Sequence, residues 1–106
     1  MAHTATLMYE ATAVGPTQPA ELEATMGGYD LTFSAIEQAT GCTFISDVTA
    51  LLGSVVTRTI VFDINTAQFL ASFPAGQEAT PFVGLYTQAL SGAVDSFITE
   101  VPVVIA

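Results

Sequence analysis

The stretch VVTRTIVFDI, residues 55–64, constrains this chain more than any other. Its β-branched and aromatic content predicts a strand. In a strand, side chains alternate between faces. Val56, Arg58, Ile60, Phe62 and Ile64 then share one face, with Thr57, Thr59, Val61 and Asp63 on the other. Arg58 is the only Lys or Arg against ten acids, and it falls on the more apolar face. Two arrangements satisfy it. Its stem packs on the sheet while the guanidinium snorkels to water, or it pairs bidentately with a carboxylate of another segment or subunit. An anion-binding catalytic role is a third, weaker reading. No other base can replace Arg58, so such a pair would fix assembly geometry.

The surrounding composition narrows the function classes. Only 10% of residues are charged and 51% are hydrophobic, with 15 Thr and 16 Ala making up much of the chain. A domain of 106 residues buries too little surface to hide that much apolar side chain. Part of the surplus is therefore expected against other subunits. The net charge of −9 leaves no Lys/Arg cluster for nucleic acid or an anionic membrane surface, so neither is expected as a partner. A spanning helix needs about 20 mostly apolar residues. The longest uncharged run, Ala79–Val94, is shorter and is interrupted by Pro81, Gly84, Gln88 and Gly92. The start, MAHTATLMYE, lacks the basic and apolar regions of a signal peptide. A soluble protein made in a reducing cytoplasm is expected. One cysteine, Cys42, excludes an internal disulfide and reads as a small buried side chain.

Along the chain the pattern is that of a single α+β domain, residues 1–106, with an antiparallel or mixed sheet and two to four short helices. Residues 4–14 alternate, with Ala5, Leu7, Tyr9, Ala11 and Ala13 on one face. Pro19 opens a helix that ends near Gly27. Residues 29–41 fit either a helix, with Ser34 and Glu37 as a capping box and Gly41 as its stop, or an alternating strand. Val48, Leu51, Leu52 and Val55 recur at helical spacing behind Ser46 or Asp47, predicting a short helix to Gly53. DINTAQ predicts a hairpin turn after the strand, with QFLASF returning. A helix capped by Asn65, with Phe69, Leu70 and Phe73 on one face, is the alternative. Thr80–Pro81 opens a further helix, with Phe82, Leu85, Tyr86, Ala89 and Leu90 as its stripe and Gly92 as its end. The C-terminal DSFITEVPVVIA reads as a strand that Pro102 confines to a sheet edge.

Chemistry-bearing patterns are sparse. His3 is the only histidine and is expected as a solvated terminal residue. It has no second His or Cys with which to build a metal site, and its spacing from Cys42 supports no nucleophile pair. The ten acids show neither a calcium-loop nor a zinc-helix spacing. Gly27–Gly28 lacks the lysine and context of a phosphate loop. No catalytic, cofactor-binding or metal residues are assigned, and an enzyme is not expected.

The VFDINTAQFLASF hairpin, the Thr- and Ala-rich strands and the scarcity of catalytic residues resemble small virion structural proteins of tailed bacteriophages or archaeal viruses. The resemblance is one of style across most of the chain and assigns no residue a role. It implies capsid decoration (cement), or a head–tail or tail component, working by oligomeric assembly. Its partners would be copies of itself and other virion structural proteins, on an outer surface or tail, after synthesis in the host cytoplasm. The residues expected at interfaces are Arg58 and one apolar row of the C-terminal strand, Val101, Val103 and Ile105. That strand is expected to pair outside its own subunit, because an uncharged edge is otherwise an aggregation hazard. Two other classes remain open. One is a small oligomeric ligand-binding or enzymatic α+β domain with an apolar cavity. The other is a surface-filament subunit, which the missing secretion signal disfavours.

Overall fold

The computed structural model describes residues 3–13, 18–28, 32–82, 97–100 (backbone alone) and 104–106. Within them the chain is α+β. Strand β1 (Thr4–Thr12) is followed by α1 (Pro19–Gly28), α2 (Phe33–Thr40), β2 (Thr43–Leu52), β3 (Val55–Asp63), α3 (Ala67–Ser72), β4 (Phe97–Glu100) and β5 (Val104–Ile105). A turn of 3₁₀ helix covers Thr80–Phe82. The sheet runs β2-β3-β1-β4, with β5 also paired to β1, and every pairing is antiparallel.

Alternation in β1 and β3 sets the two faces. Ala5, Leu7, Tyr9 and Ala11 stand opposite Phe62, Ile60, Arg58 and Val56, and all eight are buried. The helices close over this face. Leu22 and Met26 of α1, Phe69 of α3 and Phe82 join the same core, and Phe33 of α2 packs against it. Aromatic rings tie the layers together. Phe33 stacks on Phe44 at 4.6 Å, Phe44 meets Phe62 at 6.1 Å, and Phe62 stacks on Phe82 at 5.3 Å.

Two elements depart from the pattern-based expectation. Residues 46–52 are strand, not helix. Val48 and Leu52 lie on the face that no described helix covers, while Leu51 turns inward, so both faces of β2 are apolar and mimic a helical stripe. Gly53, at φ 65, starts the two-residue loop that joins β2 to β3, the place such hairpins reserve for glycine. The return strand expected at QFLASF is α3. Its cap is Thr66, not Asn65: the hydroxyl accepts the Phe69 N–H at 3.2 Å and donates to the Gly41 carbonyl at 2.7 Å. Phe69 and Phe73, one turn apart, then face the core with centroids 4.9 Å apart.

The ambiguous segment resolves as helix α2. Its N-cap is Thr32 in a left-handed conformation (φ 55), and Gly41 (φ 84) ends it by donating to the Glu37 carbonyl. The Ser34–Glu37 capping box is not formed, because the helix starts at Phe33 with Thr32 as N-cap and Ser34 already inside it; the Glu37 carboxylate instead accepts the Phe44 N–H at 2.9 Å. A 3₁₀ turn, Thr80–Phe82, stands where the helix opened by Thr80–Pro81 was expected, and the rest of that helix, with Leu85, Tyr86, Ala89 and Leu90, lies outside the described residues. No helix among the described residues is long and apolar enough to cross a membrane.

Candidate functional site

A bulge in β2 determines what Arg58 meets. The register with β3 shifts between Phe44 and Ser46, leaving Ile45 without a partner and half exposed. One extra residue exchanges the faces of everything after it. Phe44 points inward before the bulge, and Asp47, Thr49 and Leu51 point inward after it. Asp47 is thereby placed diagonally across from Arg58, with Thr49 directly opposite.

Arg58 uses that placement fully. Nε donates to Asp47 Oδ1 at 2.9 Å and Nη2 to Oδ2 at 2.7 Å, a bidentate pair. Nη1 donates to the Met26 carbonyl at 2.6 Å. That carbonyl lies in the last turn of α1, where helix carbonyls lack intrahelical partners and carry partial negative charge. The guanidinium carbon also sits 6.0 Å from the centroid of the Phe33 ring. One side chain therefore links β3, β2, α1 and α2. It is only 2% exposed, so it does not snorkel to water. The carboxylate expected to meet it belongs to the neighbouring strand of the same chain, and Asp47 keeps 21% exposure.

The other expected residues separate. Ile105 pairs with Ala5 of its own chain and packs against the core from its rim. The backbone groups of Ala106 and Thr4 exchange bonds at 2.8 and 3.0 Å. The described end of the C-terminal strand thus pairs on one side with β1 of its own chain, and the expectation of a partner outside the subunit concerns its other side. Val101 and Val103 lie outside the described residues. Among the described residues β4 and β5 lie at the edge of the sheet, and Pro102, on which that expectation rested, lies outside them. His3 is not a loose terminal residue. Its Nε2 lies 3.2 Å from Glu78 Oε2, and its carbonyl accepts the Ile64 N–H. The Glu78 carboxyl is held below its ordinary 4.5 by its own backbone N–H, then that of Gly76, with His3 adding to this. Cys42 is buried, and desolvation raises its thiol pKa, which disfavours the thiolate. No group of three or more metal-ligating side chains occurs among the described residues.

Two surfaces remain without a cover among the described residues. One is the outer sheet face, where Met8, Val48, Leu52 and Val104 are 40%, 60%, 85% and 55% exposed among threonines of β1 and β3. The other is the free edge of β2. Sequence reasoning missed the β2 edge and β2's share of the outer face, because residues 46–52 were assigned to a helix. The apolar residues on both faces of 46–52 were the available signal.

No family model, curated protein or solved structure matches this chain.

Proposed function

We propose that the chain is a non-enzymatic structural subunit of a virion, acting in capsid decoration or as a head–tail or tail component. The observation that carries the reading is the one-sided sheet. Helices and an aromatic core cover one face, while the other presents large apolar side chains among threonines with little charge. Monomers rarely leave contiguous apolar surface open, whereas subunits that dock on a preformed lattice do. The net charge of −9 supports an outer placement, away from packaged nucleic acid. The virion assignment itself is supported by the likeness of composition and strand style described above.

The test begins with the genes that flank this one, since virion genes cluster. Purified protein is then mixed with the particles those genes encode and spun through a density gradient. Migration with the particles is the expected result. A protein that ignores particles but melts at a higher temperature with a small apolar ligand would overturn the reading in favour of a binding domain.

A further inference from the structure

We infer that the free edge of β2 pairs with the same edge of a second copy, around a two-fold axis at Thr49. The inference rests on the reading that this chain works by self-assembly, and it names the surface.

The argument starts from hydrogen-bond direction. In a hairpin closed by a two-residue loop, the closing pair is hydrogen-bonded, here Leu52 with Val55. Every second residue back along β2, namely Ala50, Val48 and Ser46, then bonds to β3. Asp47, Thr49 and Leu51 direct their N–H and C=O groups away from the sheet. Phe44, across the bulge, also turns outward, and there the Glu37 carboxylate meets its N–H. No corresponding partner meets the outward backbone groups of Asp47, Thr49 and Leu51 among the described residues. The bulge ends the usable edge on one side and the Gly53 turn ends it on the other. The open window is residues 46–52, and its centre is Thr49.

A window symmetric about one residue suits an antiparallel copy of itself. Thr49 would face Thr49 of the second copy, and Asp47 would face Leu51 in both directions. The three facing pairs supply about six backbone hydrogen bonds. On the outer face, Val48 of each copy would stand opposite Ala50 of the other, and Leu52 opposite Ser46, so exposed apolar side chains bury one another.

Charge leaves this edge open to a second copy and gives a basic partner no hold on it. Two chains of net charge −9 repel over most of their surfaces. The edge window carries one acid, Asp47, and Arg58 neutralises it from inside the same chain. The two Asp47 residues would stand four positions apart along the ladder, about 13 Å by strand geometry. The lone arginine thus makes the edge strand a neutral strip on an acidic molecule. A basic partner would find nothing to attract it there.

The experiment is analytical ultracentrifugation of the full chain and three variants, with amide hydrogen exchange on the wild type. At about 100 μM, a Kd of order 10 μM gives mostly dimer. The wild type is expected to sediment as a dimer, with the Thr49 and Leu51 amides losing protection on dilution. Val48→Glu changes a side chain exposed in the monomer and should weaken association at least tenfold. Thr49→Pro removes an outward N–H without touching the β2–β3 bonds, a tolerated edge position for proline, and should give monomer. Val104→Glu, on the outer face but far from this edge, should leave the dimer intact. If Thr49→Pro fails to fold, Val48→Glu decides alone. A monomeric wild type overturns the pairing, as does a dimer that survives the edge changes or dissociates on Val104→Glu. Open head-to-tail oligomers overturn it too. A monomer that still binds particles leaves the structural role standing, and an edge-paired dimer that ignores them does the reverse.

Discussion

Removing Arg58 should damage folding, and the two halves of its ion pair should differ in cost. Arg58→Met keeps the apolar stem and deletes at least three hydrogen bonds, among them two to Asp47 and one to Met26. Breaking a buried pair by removing one partner typically costs about 3–5 kcal/mol. Asp47 is 21% exposed and regains some water, so the low end, about 3 kcal/mol, is expected for Arg58→Met. Asp47→Ala leaves the cation at 2% exposure with no counter-charge from that carboxylate, so the high end is expected. A domain of this size is stable by roughly 5–15 kcal/mol, so either change removes a large share. At roughly 4–5 °C per kcal/mol, Arg58→Met should lower Tm by about 12–15 °C. The double variant Arg58→Met with Asp47→Leu should recover part of the loss, because both charges then leave together. Urea unfolding at a protein concentration low enough to exclude association measures all four proteins. An Arg58→Met cost below about 1 kcal/mol, in the range of exposed pairs, would refute the reasoning.

Gly41→Ala should destabilise by more than about 2 kcal/mol, because a left-handed residue gains a Cβ that would lie 2.7 Å from carbons of Gln68; thermal melting reads this directly. Glu78→Gln tests the His3 fastening. A carboxyl whose pKa is depressed stabilises the fold above its ordinary 4.5 and ceases to do so as pH falls through the lowered value. The urea midpoint of Glu78→Gln should therefore lie below wild type at pH 6 and coincide with it near pH 2. Deleting Val104–Ala106 should lower Tm rather than release an intact monomer, since Ile105 packs on its own core and Ala106 bonds to Thr4. A truncated chain with a normal melt would return that strand to the role of a donated element.

Legibility in the sequence followed the number of faces each element buries. Strands β1 and β3 bury one face and show it as alternation, so Ala5 to Ala11 and Val56 to Phe62 were readable. Pro19 marked α1. Strand β2 is apolar on both faces and carries a bulge, so its period is broken twice and the helical spacing of Val48, Leu51, Leu52 and Val55 prevailed. That assignment made Asp47 a helix cap and hid it as the partner of Arg58. A carboxylate partner was legible only as one of two ways to satisfy Arg58, and its identity was not, because a one-residue bulge decides which face Asp47 occupies. Phe69 and Phe73 offered a helical contact that only the Thr66 cap and the core beneath could favour over a return strand.

The position of β1 has a kinetic consequence. The strand nearest the N-terminus is an interior strand, flanked by β3 on one side and by β4 and β5 on the other. While the chain is being synthesised, the β2–β3 hairpin needs only local closure and is free to form early. β1 must wait for it across some fifty residues, and its second edge waits for residues 97–106. Such distant pairings pay loop-closure entropy before they gain contacts, so they make folding slow. Until residues 97–106 emerge, β1 exposes an unpaired edge, and nascent chains on one message lie close enough to exploit it. The sheet order therefore leaves β1 open to mispairing until β4 and β5 have been made.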